Sequence, residues 1–250
     1  MGAMWKSRWT SIVEKTRVVR SPDEERALLH ALVNGNSPRI LGFVNAHAMN
    51  VSAANEPFFE AVVSADVLLR DGLGMAMLYR TLEKDPGLNM NGTDFIPKVL
   101  AAFRGRRVAF WGTEEPFVGE ASERCERQFG VQVVSAENGF EGVERYLHLA
   151  RVQKPDLIVL GMGMPRQEHL ARELVASAQN APLIVCGGAV LDFMGGKVSR
   201  APEWMRAVGA EWFYRLCHEP RRLFRRYVLG NPAFVVKLMV LRREGRLRKE

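Results

Sequence analysis

Short apolar runs alternate with longer amphipathic segments over the first three quarters of the chain. Six runs are predicted to be strands, at residues 39–44, 67–69, 108–111, 131–135, 157–160 and 183–186. Helical patterns accompany them near 49–63, 73–82, 93–103, 116–129, 141–151 and 166–178. Continuous apolar strands separated by helices are typical of a parallel sheet with helices on both faces. We therefore predict a Rossmann-like, doubly wound α/β fold with right-handed crossovers.

Glycines and polar side chains follow the predicted strands at their carboxyl ends, where sheets of this kind bind ligands. Asn45 and His47 follow the first strand, and Asp71 follows the second. The glycines at later strand ends are Gly112, Gly161, Gly163, Gly187 and Gly188. Since glycine lets the backbone approach a phosphate and a helix N-terminus favours negative charge, these positions indicate a phosphate site.

The polar candidates each allow a structural and a functional interpretation. Asp71 is either a helix N-cap or a general base directed into the cleft. His47 is a second candidate base, although a lone histidine is more often structural. Asp192 is either a cap or a hydrogen-bonding partner of a base or ribose. Phe140, in Asn-Gly-Phe, is more typical of a core position than of a stacking platform.

The loop 161–167 lacks the last glycine of the GxGxxG fingerprint, so it is a weak dinucleotide signal. A tight turn between strand and helix explains it equally well. Gln167 and Glu168 would then be ordinary residues of a first helical turn.

Positive charge is concentrated at the C-terminal end. From Lys197 to Glu250 there are 14 Lys and Arg against 5 Asp and Glu, a net charge of +9, whereas the whole chain carries +7. This predicts a Rossmann-like core over 1–196 and a basic helical appendage over 197–250. Such asymmetry indicates an anionic partner: lipid headgroups, nucleic acid or phosphates. The aromatic residues interleaved with these arginines suit a headgroup interface; they are Trp204, Trp212, Phe213, Tyr214, Phe224 and Tyr227.

Several protein classes are disfavoured by what the sequence lacks. Cys125, Cys186 and Cys217 are far apart and show no metal-ligand spacing, which argues against disulfides and zinc and fits a reducing compartment. No apolar run reaches the roughly 18 residues of a membrane span, and no signal peptide is evident. The aspartates include no Asp-x-Asp pair, which argues mildly against a metal site.

Three blocks of sequence resemble the WecG/TagA/CpsF family of bacterial glycosyltransferases. They are PDLIVLGMGMPRQE, GGAVLDFMGGKVSRAPEWM and GAEWFYRLCHEPRRLFRRY, with similar upstream blocks FVNAHAMN, ADVLLRDGLGMAM and NGTDFIPKVL. The likeness runs from about residue 40 to 227. It implies inverting transfer from a UDP-sugar to a polyprenyl-diphosphate-linked sugar in surface polysaccharide synthesis, without metal or cofactor. It also implies a peripheral enzyme on the cytoplasmic face of the membrane.

The resemblance assigns roles to residues. It implies catalytic roles for Asp71 as general base, Asn45 and Gln167. It implies nucleotide contacts at Asp192 and at Phe140, which would stack on uracil in place of the family's tyrosine. The glycines Gly112, Gly161, Gly163 and Gly188 complete the nucleotide set together with Gln167. The appendage arginines of the family correspond to Arg215, Arg222 and Arg225, expected at the acceptor diphosphate.

One position departs from the family pattern, because Asn89 stands where many members have arginine. This leaves the transferred sugar and the acceptor open. Two other hypotheses also stay open on the residues alone. The basic segment could serve a nucleic-acid-binding module, although its aromatic residues fall on amphipathic helices, or the fold could be a Rossmann dehydrogenase. The residues are compatible with a homo-oligomer.

Overall fold

Seven parallel strands form one sheet at the centre of the molecule. The computed structural model describes residues 2–207 and 209–247. The strands are β1 (Thr16–Arg17), β2 (Arg39–Val44), β3 (Val67–Arg70), β4 (Arg107–Gly112), β5 (Gln132–Glu137), β6 (Leu157–Gly161) and β7 (Leu183–Cys186). Their order is β1-β3-β2-β7-β6-β4-β5. The six predicted strands and the parallel α/β fold are confirmed, and β1 is an additional short strand.

Strand β7 occupies the middle of the sheet. It pairs with β2 on one side and with β6 on the other. Because all strands are parallel, their carboxyl ends lie along one edge, where the loops predicted to carry polar groups come together.

Helices cover both faces of the sheet. Up to the end of the core they are α1 (Gly2–Lys15), α2 (Pro22–Val33), α3 (Ala46–Ala54), α4 (Glu56–Val63), α5 (Gly72–Thr81), α6 (Gly92–Ala102), α7 (Phe117–Phe129), α8 (Val143–Gln153), α9 (Arg166–Ser177) and α10 (Val190–Met194). Successive strand side chains point to opposite faces, so Ala109 and Trp111 belong to one apolar cluster while Val108 and Phe110 belong to the other. Helices α2, α6, α7 and α10 pack on one face and the remaining ones on the other.

The region before Arg39 carries two helices that the sequence analysis did not assign. Ser21 is the N-cap of α2 and its side chain accepts a hydrogen bond from the Glu24 N–H. Pro22 follows as the first helical residue, a combination typical of a helix start. Helix α1 buries Trp9, whose indole N–H donates to the Met49 carbonyl at 2.8 Å.

The C-terminal segment is helical, as predicted. It contains α11 (Glu203–Ala207), α12 (Glu211–His218), α13 (Pro220–Phe224), a π-helical turn (Arg225–Leu229) and α14 (Gly230–Leu247). Helix α14 packs against the core: Phe234 is buried with its ring 5.1 Å from that of Trp9. Its outer side leaves Val236, Met239 and Val240 exposed. The segment therefore has one side joined to the core and one apolar side facing solvent.

Candidate active site

A cavity of about 570 Å³ opens at the carboxyl ends of the strands. It is closed on the far side by the C-terminal segment. Eleven of the twelve residues predicted for the site line it: Asn45, Asp71, Phe140, Gly161, Gly163, Gln167, Gly188, Asp192, Arg215, Arg222 and Arg225. The twelfth, Gly112, lies against β6 instead: a Cβ there would come within 2.4 Å of the Gly161 backbone, so this glycine permits two strand ends to approach.

Asp71 is held at the end of β3 by its neighbours. Its own N–H donates to the Val44 carbonyl at 2.8 Å, and the Gly72 N–H donates to Asn89 Oδ1 at 2.8 Å. The Arg70 guanidinium donates to the carbonyls of Pro86, Gly87 and Gly72. The loop that carries the carboxylate is thus fixed from three directions.

The Asp71 side chain does not cap the helix that follows it. It occupies the N-cap position of α5 but makes no cap hydrogen bond. Its Oδ2 instead accepts from Asn45 Nδ2 at 3.3 Å. The carboxylate is therefore directed into the cleft, the geometry required of a base.

Asn45 connects this carboxylate to the start of α3. Its Oδ1 accepts the backbone N–H groups of His47 and Ala48, both at 3.1 Å. With the oxygen committed to the helix terminus, the amide nitrogen must face Asp71. Asn45 is thus both the cap of α3 and a hydrogen-bond donor to Asp71.

Burial and charge act in opposite directions on Asp71. Burial raises the pKa of its carboxyl, while the Asn45 hydrogen bond and the charges of Arg226, Arg215 and Arg70 lower it. For His47, burial and then the Arg226 charge lower the pKa to about 4. The imidazole is neutral and only weakly basic at neutral pH, so Asp71 is the stronger candidate base.

Gln167 and Glu168 are both buried in the first turn of α9. Gln167 Nε2 donates to Glu168 Oε1 at 2.8 Å, and Gln167 Oε1 accepts the Gly188 N–H at 2.9 Å. Burial raises the pKa of Glu168 to about 7. The pair ties two strand-end loops together and is not an ordinary exposed helix turn.

Gly163 and Gly188 leave room for a ligand beside the backbone. Gly163 (φ +75°) and Gly188 (φ +61°) adopt left-handed conformations, and a Cβ at either position would meet no atom within 4 Å. The Gly188 N–H is already used by Gln167. A ligand can therefore approach these backbones closely, although the Gly188 N–H is not available to bind its charge.

Asp192 lies in α10 and is buried among polar partners. Its Oδ1 accepts the Thr113 hydroxyl at 2.6 Å, and its Oδ2 lies 3.3 Å from Arg222 Nη1. Lys197 Nζ is 3.9 Å from Oδ1. Asp192 thus joins the strand end at Thr113 to the C-terminal segment.

Among the described residues, five cations and two carboxylates line the cavity. The cations are Lys197, Arg215, Arg222, Arg225 and Arg226, and the carboxylates are Asp71 and Asp192. Arg215 is buried, with its guanidinium 5.3 Å from the Phe193 ring and 3.7 Å from Glu219 Oε2. The excess of positive charge in a concave, partly dry site suits a multiply charged anion.

Phe140 lies at the rim of the cavity and is 69% exposed. Residue type alone favoured a core position, and that expectation is wrong. The turn is set by Asn138, whose Oδ1 accepts the Phe140 N–H at 2.9 Å and leaves the ring projecting outward.

A second cavity of about 600 Å³ adjoins the first. The two share Asn45, His47, Asp71, Thr93, Arg215 and Arg226 in their linings. The second is otherwise more apolar, with Leu73, Met77, Trp212, Phe234 and Val235 on its walls. Asp71 thus lies where a charged chamber meets an apolar one.

Sequence reasoning missed Thr113, Lys197 and Arg226. Thr113 directly follows a strand end, the signal used for the other residues, and could have been found by it. Lys197 and Arg226 belong to the C-terminal segment, whose docking the local sequence does not specify.

Among the described residues, no group of three or more His, Cys, Asp or Glu side chains is arranged to hold a metal ion. No described helix has the length and apolarity to cross a bilayer.

A parallel Rossmann-like sheet with a cationic cleft at its strand ends is typical of proteins that bind phosphorylated ligands. The model of the glycosyl transferase WecG/TagA/CpsF family matches residues 15–249. The chain belongs to this family of glycosyltransferases, as the sequence blocks indicated.

Named relatives support the same assignment. An N-acetylglucosaminyldiphosphoundecaprenol N-acetyl-beta-D-mannosaminyltransferase of Bacillus spizizenii (strain ATCC 23059 / NRRL B-14472 / W23) is 29% identical, over 75% of this chain and 74% of the relative. Proteins of the same name from Bacillus subtilis (strain 168) and Staphylococcus aureus (strain MW2) are 26% and 23% identical. The alignments cover 80% of this chain in both cases, and 78% and 79% of those relatives.

Proposed function

We propose that this protein transfers a hexose or N-acetylhexosamine from a UDP-sugar to a polyprenyl-diphosphate-linked sugar, with inversion at the anomeric carbon and Asp71 as general base. The observation that carries the proposal is the position of Asp71 in the wall shared by the two cavities. A base at that boundary can act on a hydroxyl that enters from one chamber and attacks a carbon held in the other.

The first cavity is the proposed donor site. Phe140 offers an exposed ring for stacking on uracil, and Asp192 offers a carboxylate to the ribose. The family resemblance puts Arg222 and Arg225 at the acceptor diphosphate. Of the two cavities they line only this one, so we place them instead with the donor diphosphate, whose oxygens match the guanidinium fork. Arg215 lines both cavities and can serve the acceptor diphosphate as well.

The second cavity is the proposed acceptor site. Its polar end near Asp71, with Asn89 and Thr93, suits a sugar, and its apolar end, with Trp212 and Val235, suits the first carbons of a lipid chain. Asn89 is committed through Oδ1 to the Gly72 N–H. It therefore supports the loop of the base without adding a charge.

The reaction is a single displacement. The acceptor hydroxyl oxygen attacks the anomeric carbon while its proton passes to Asp71, and the bond from that carbon to the UDP oxygen breaks. UDP leaves with the bonding electrons, and the arginines around the first cavity offset the charge that develops.

Because protein cations can neutralise the leaving diphosphate, we expect the reaction to proceed without a metal ion. The protein should therefore keep full activity in EDTA. Loss of activity in EDTA, restored by Mg²⁺ or Mn²⁺, would contradict this.

The names of the relatives guide the choice of substrates. They specify N-acetylmannosaminyl transfer to N-acetylglucosaminyldiphosphoundecaprenol. We infer that the acceptor here is an N-acetylglucosamine linked to a polyprenyl diphosphate, and that UDP-N-acetylmannosamine is the first donor to test. Cell-wall or surface polysaccharide synthesis is the corresponding process.

The C-terminal segment, residues 197–250, is the proposed membrane-facing unit on the cytoplasmic side. Val236, Met239 and Val240 form an exposed stripe at helical spacing on α14, followed by exposed Arg242 and Arg243. Apolar and cationic groups together suit an anionic bilayer surface. We expect Met239→Glu to weaken flotation with anionic vesicles, while Val152→Glu, at an exposed position on α8, leaves it unchanged. Equal flotation of both variants would contradict this orientation.

The decisive test is a screen of UDP-sugars with a short-chain polyprenyl-diphosphate-N-acetylglucosamine acceptor, followed by determination of the product linkage. We expect one donor to be used, with inverted anomeric configuration. Retained configuration, or no transfer from any UDP-sugar, would refute the proposal. Family membership favours this function over the dehydrogenase and nucleic-acid hypotheses.

A further inference from the structure

The π-helical turn Arg225–Leu229 presents two consecutive arginines to the cleft. In an α-helix neighbouring side chains diverge by about 100°, and a π-helical turn, with its wider hydrogen-bonded ring, changes that direction. Arg225 lines only the first cavity, whereas Arg226 lines both. Arg226 thus shares with Asp71 the wall between the two cavities.

Arg226 differs from Arg215 and Arg222 in its partners. Arg215 and Arg222 both pair with Glu219, and Arg222 also pairs with Asp192. Among the described residues, no carboxylate lies within 4.0 Å of the Arg226 guanidinium, and its Nε is buried without a hydrogen-bond partner. Its guanidinium carbon lies 5.2 Å from the Tyr227 ring centroid. A half-buried cation without an ion pair is costly unless its charge serves another group.

The positive charge of Arg226 acts on two side chains of the site, Asp71 and His47. Arg226 favours the ionised form of Asp71 and disfavours the protonated form of His47. The other groups that act on Asp71 come from the elements around it: Asn45 from the end of β2, Arg70 from β3 and Arg215 from α12. Arg70 donates hydrogen bonds to carbonyls and Arg215 lies 3.7 Å from Glu219 Oε2, whereas no carboxylate of the described residues lies as close to Arg226.

We propose that Arg226 is the counter-charge of the Asp71 carboxylate, and that the π-helical turn is therefore a positioning element of the catalytic base. The inference rests on the proposed function, because it requires Asp71 to act as the base. It extends the contribution of the C-terminal segment from anion binding to proton transfer.

The charge of Arg226 determines the direction in which its removal shifts the pKa of Asp71. The cation stabilises the carboxylate and lowers the pKa of Asp71, so its removal raises that pKa. A base is active when ionised, hence the acidic limb of the kcat–pH profile moves to higher pH. An opposite charge near a partly buried carboxyl is worth about one pH unit or more.

The test compares full-length Arg226→Gln, Arg226→Lys and the control Arg221→Gln, using the UDP-sugar and polyprenyl-diphosphate-sugar pair of the donor screen. Arg221 is an exposed neighbour that lines neither cavity. We expect Arg226→Gln to move the acidic limb of kcat up by about one unit and to recover kcat at higher pH. Arg226→Lys and Arg221→Gln should keep the wild-type limb. If Arg226→Gln fails to fold, Arg226→Met is used in its place, because it keeps an apolar side chain beside Tyr227.

Two outcomes separate this inference from the proposed function. If Asp71→Asn retains wild-type turnover, Asp71 is not the base, and both fail. If Asp71→Asn is inactive but Arg226→Gln and Arg226→Met keep the wild-type limb, the inference alone is overturned. A raised KM at every pH with an unmoved limb would assign Arg226 to substrate binding instead.

Discussion

Replacing Asn45 separates the stability of a helix terminus from the chemistry of the base. The Asn45 oxygen caps α3 through two N–H groups, and its nitrogen donates to Asp71 at 3.3 Å. Serine caps helices about as well as asparagine but is one atom shorter, so Asn45→Ser should keep the cap and lose the contact with Asp71. Asn45→Ala should lose both.

The magnitudes follow from these contacts. Loss of the cap costs about 1 kcal/mol, which lowers the Tm of a chain of this size by about 2–4 °C. A hydrogen bond to a charged group contributes roughly 1.5–3 kcal/mol, and the long donor–acceptor distance here favours the lower end. Its loss therefore raises the pKa of Asp71. Asn45→Asp keeps the cap acceptor but sets a second carboxylate beside Asp71, so we expect a larger shift.

The assay combines thermal unfolding with kcat–pH profiles for the three variants. We expect Asn45→Ser to have nearly the wild-type Tm and an acidic limb about one unit higher, and Asn45→Ala to combine that shift with a lower Tm. If Asn45→Ser keeps the wild-type limb while Asn45→Ala changes only the Tm, Asn45 is a helix cap and nothing more.

Three further predictions concern the base, the nucleotide and a buried acid. Asp71→Asn should fold normally, still bind UDP and lose at least about 10²-fold in turnover; a loss within about threefold would contradict general-base catalysis. UDP should raise the Tm through preferential binding to the folded state and NAD should not, whereas stabilisation by NAD alone would favour a dehydrogenase. The folded protein retains the Glu168 proton up to about pH 7, whereas the unfolded chain releases it near 4.5, so stability should fall as pH rises through that window, by up to about 3 kcal/mol. Glu168→Gln should therefore gain stability relative to wild type between pH 5 and pH 8 in denaturant unfolding, and a constant difference would show that Glu168 does not titrate there.

The strands were predictable because the strands of a buried parallel sheet consist of consecutive apolar residues. The predicted bounds of 39–44 and 183–186 agree with β2 and β7. The helical pattern over 49–63 proved to be two helices, because Asn55 ends α3 and caps α4 through the Phe58 N–H. The Asn55-Glu56-Pro57 sequence carries that signal, since a capping residue followed by proline marks a helix start.

Reading the residues that follow each predicted strand located the polar side chains at the edge of the sheet. It could not locate the residues of the C-terminal segment that pack against them. Phe234 meets Trp9 across most of the chain length, a contact that no local pattern encodes. Arg226, in a π-helical turn, shares the linings of both cavities with Asp71, and the spacing of the arginines gave no sign of it. Residues that act across elements therefore required the structure.

The central place of β7 governs the order in which this molecule can be assembled. β1, β3 and β2 form one half-sheet and β6, β4 and β5 the other, and of the described strands only β7 hydrogen-bonds to both. Asp71 belongs to the first half-sheet, and Gly161 with its loop belongs to the second. β7 is synthesised after the strands of both halves, so we expect the edges of β2 and β6 to stay unpaired until β7 joins them. The cleft thus comes into existence late, with the insertion of one four-residue strand, and mutations in β7 should slow folding more than those in the edge strand β5.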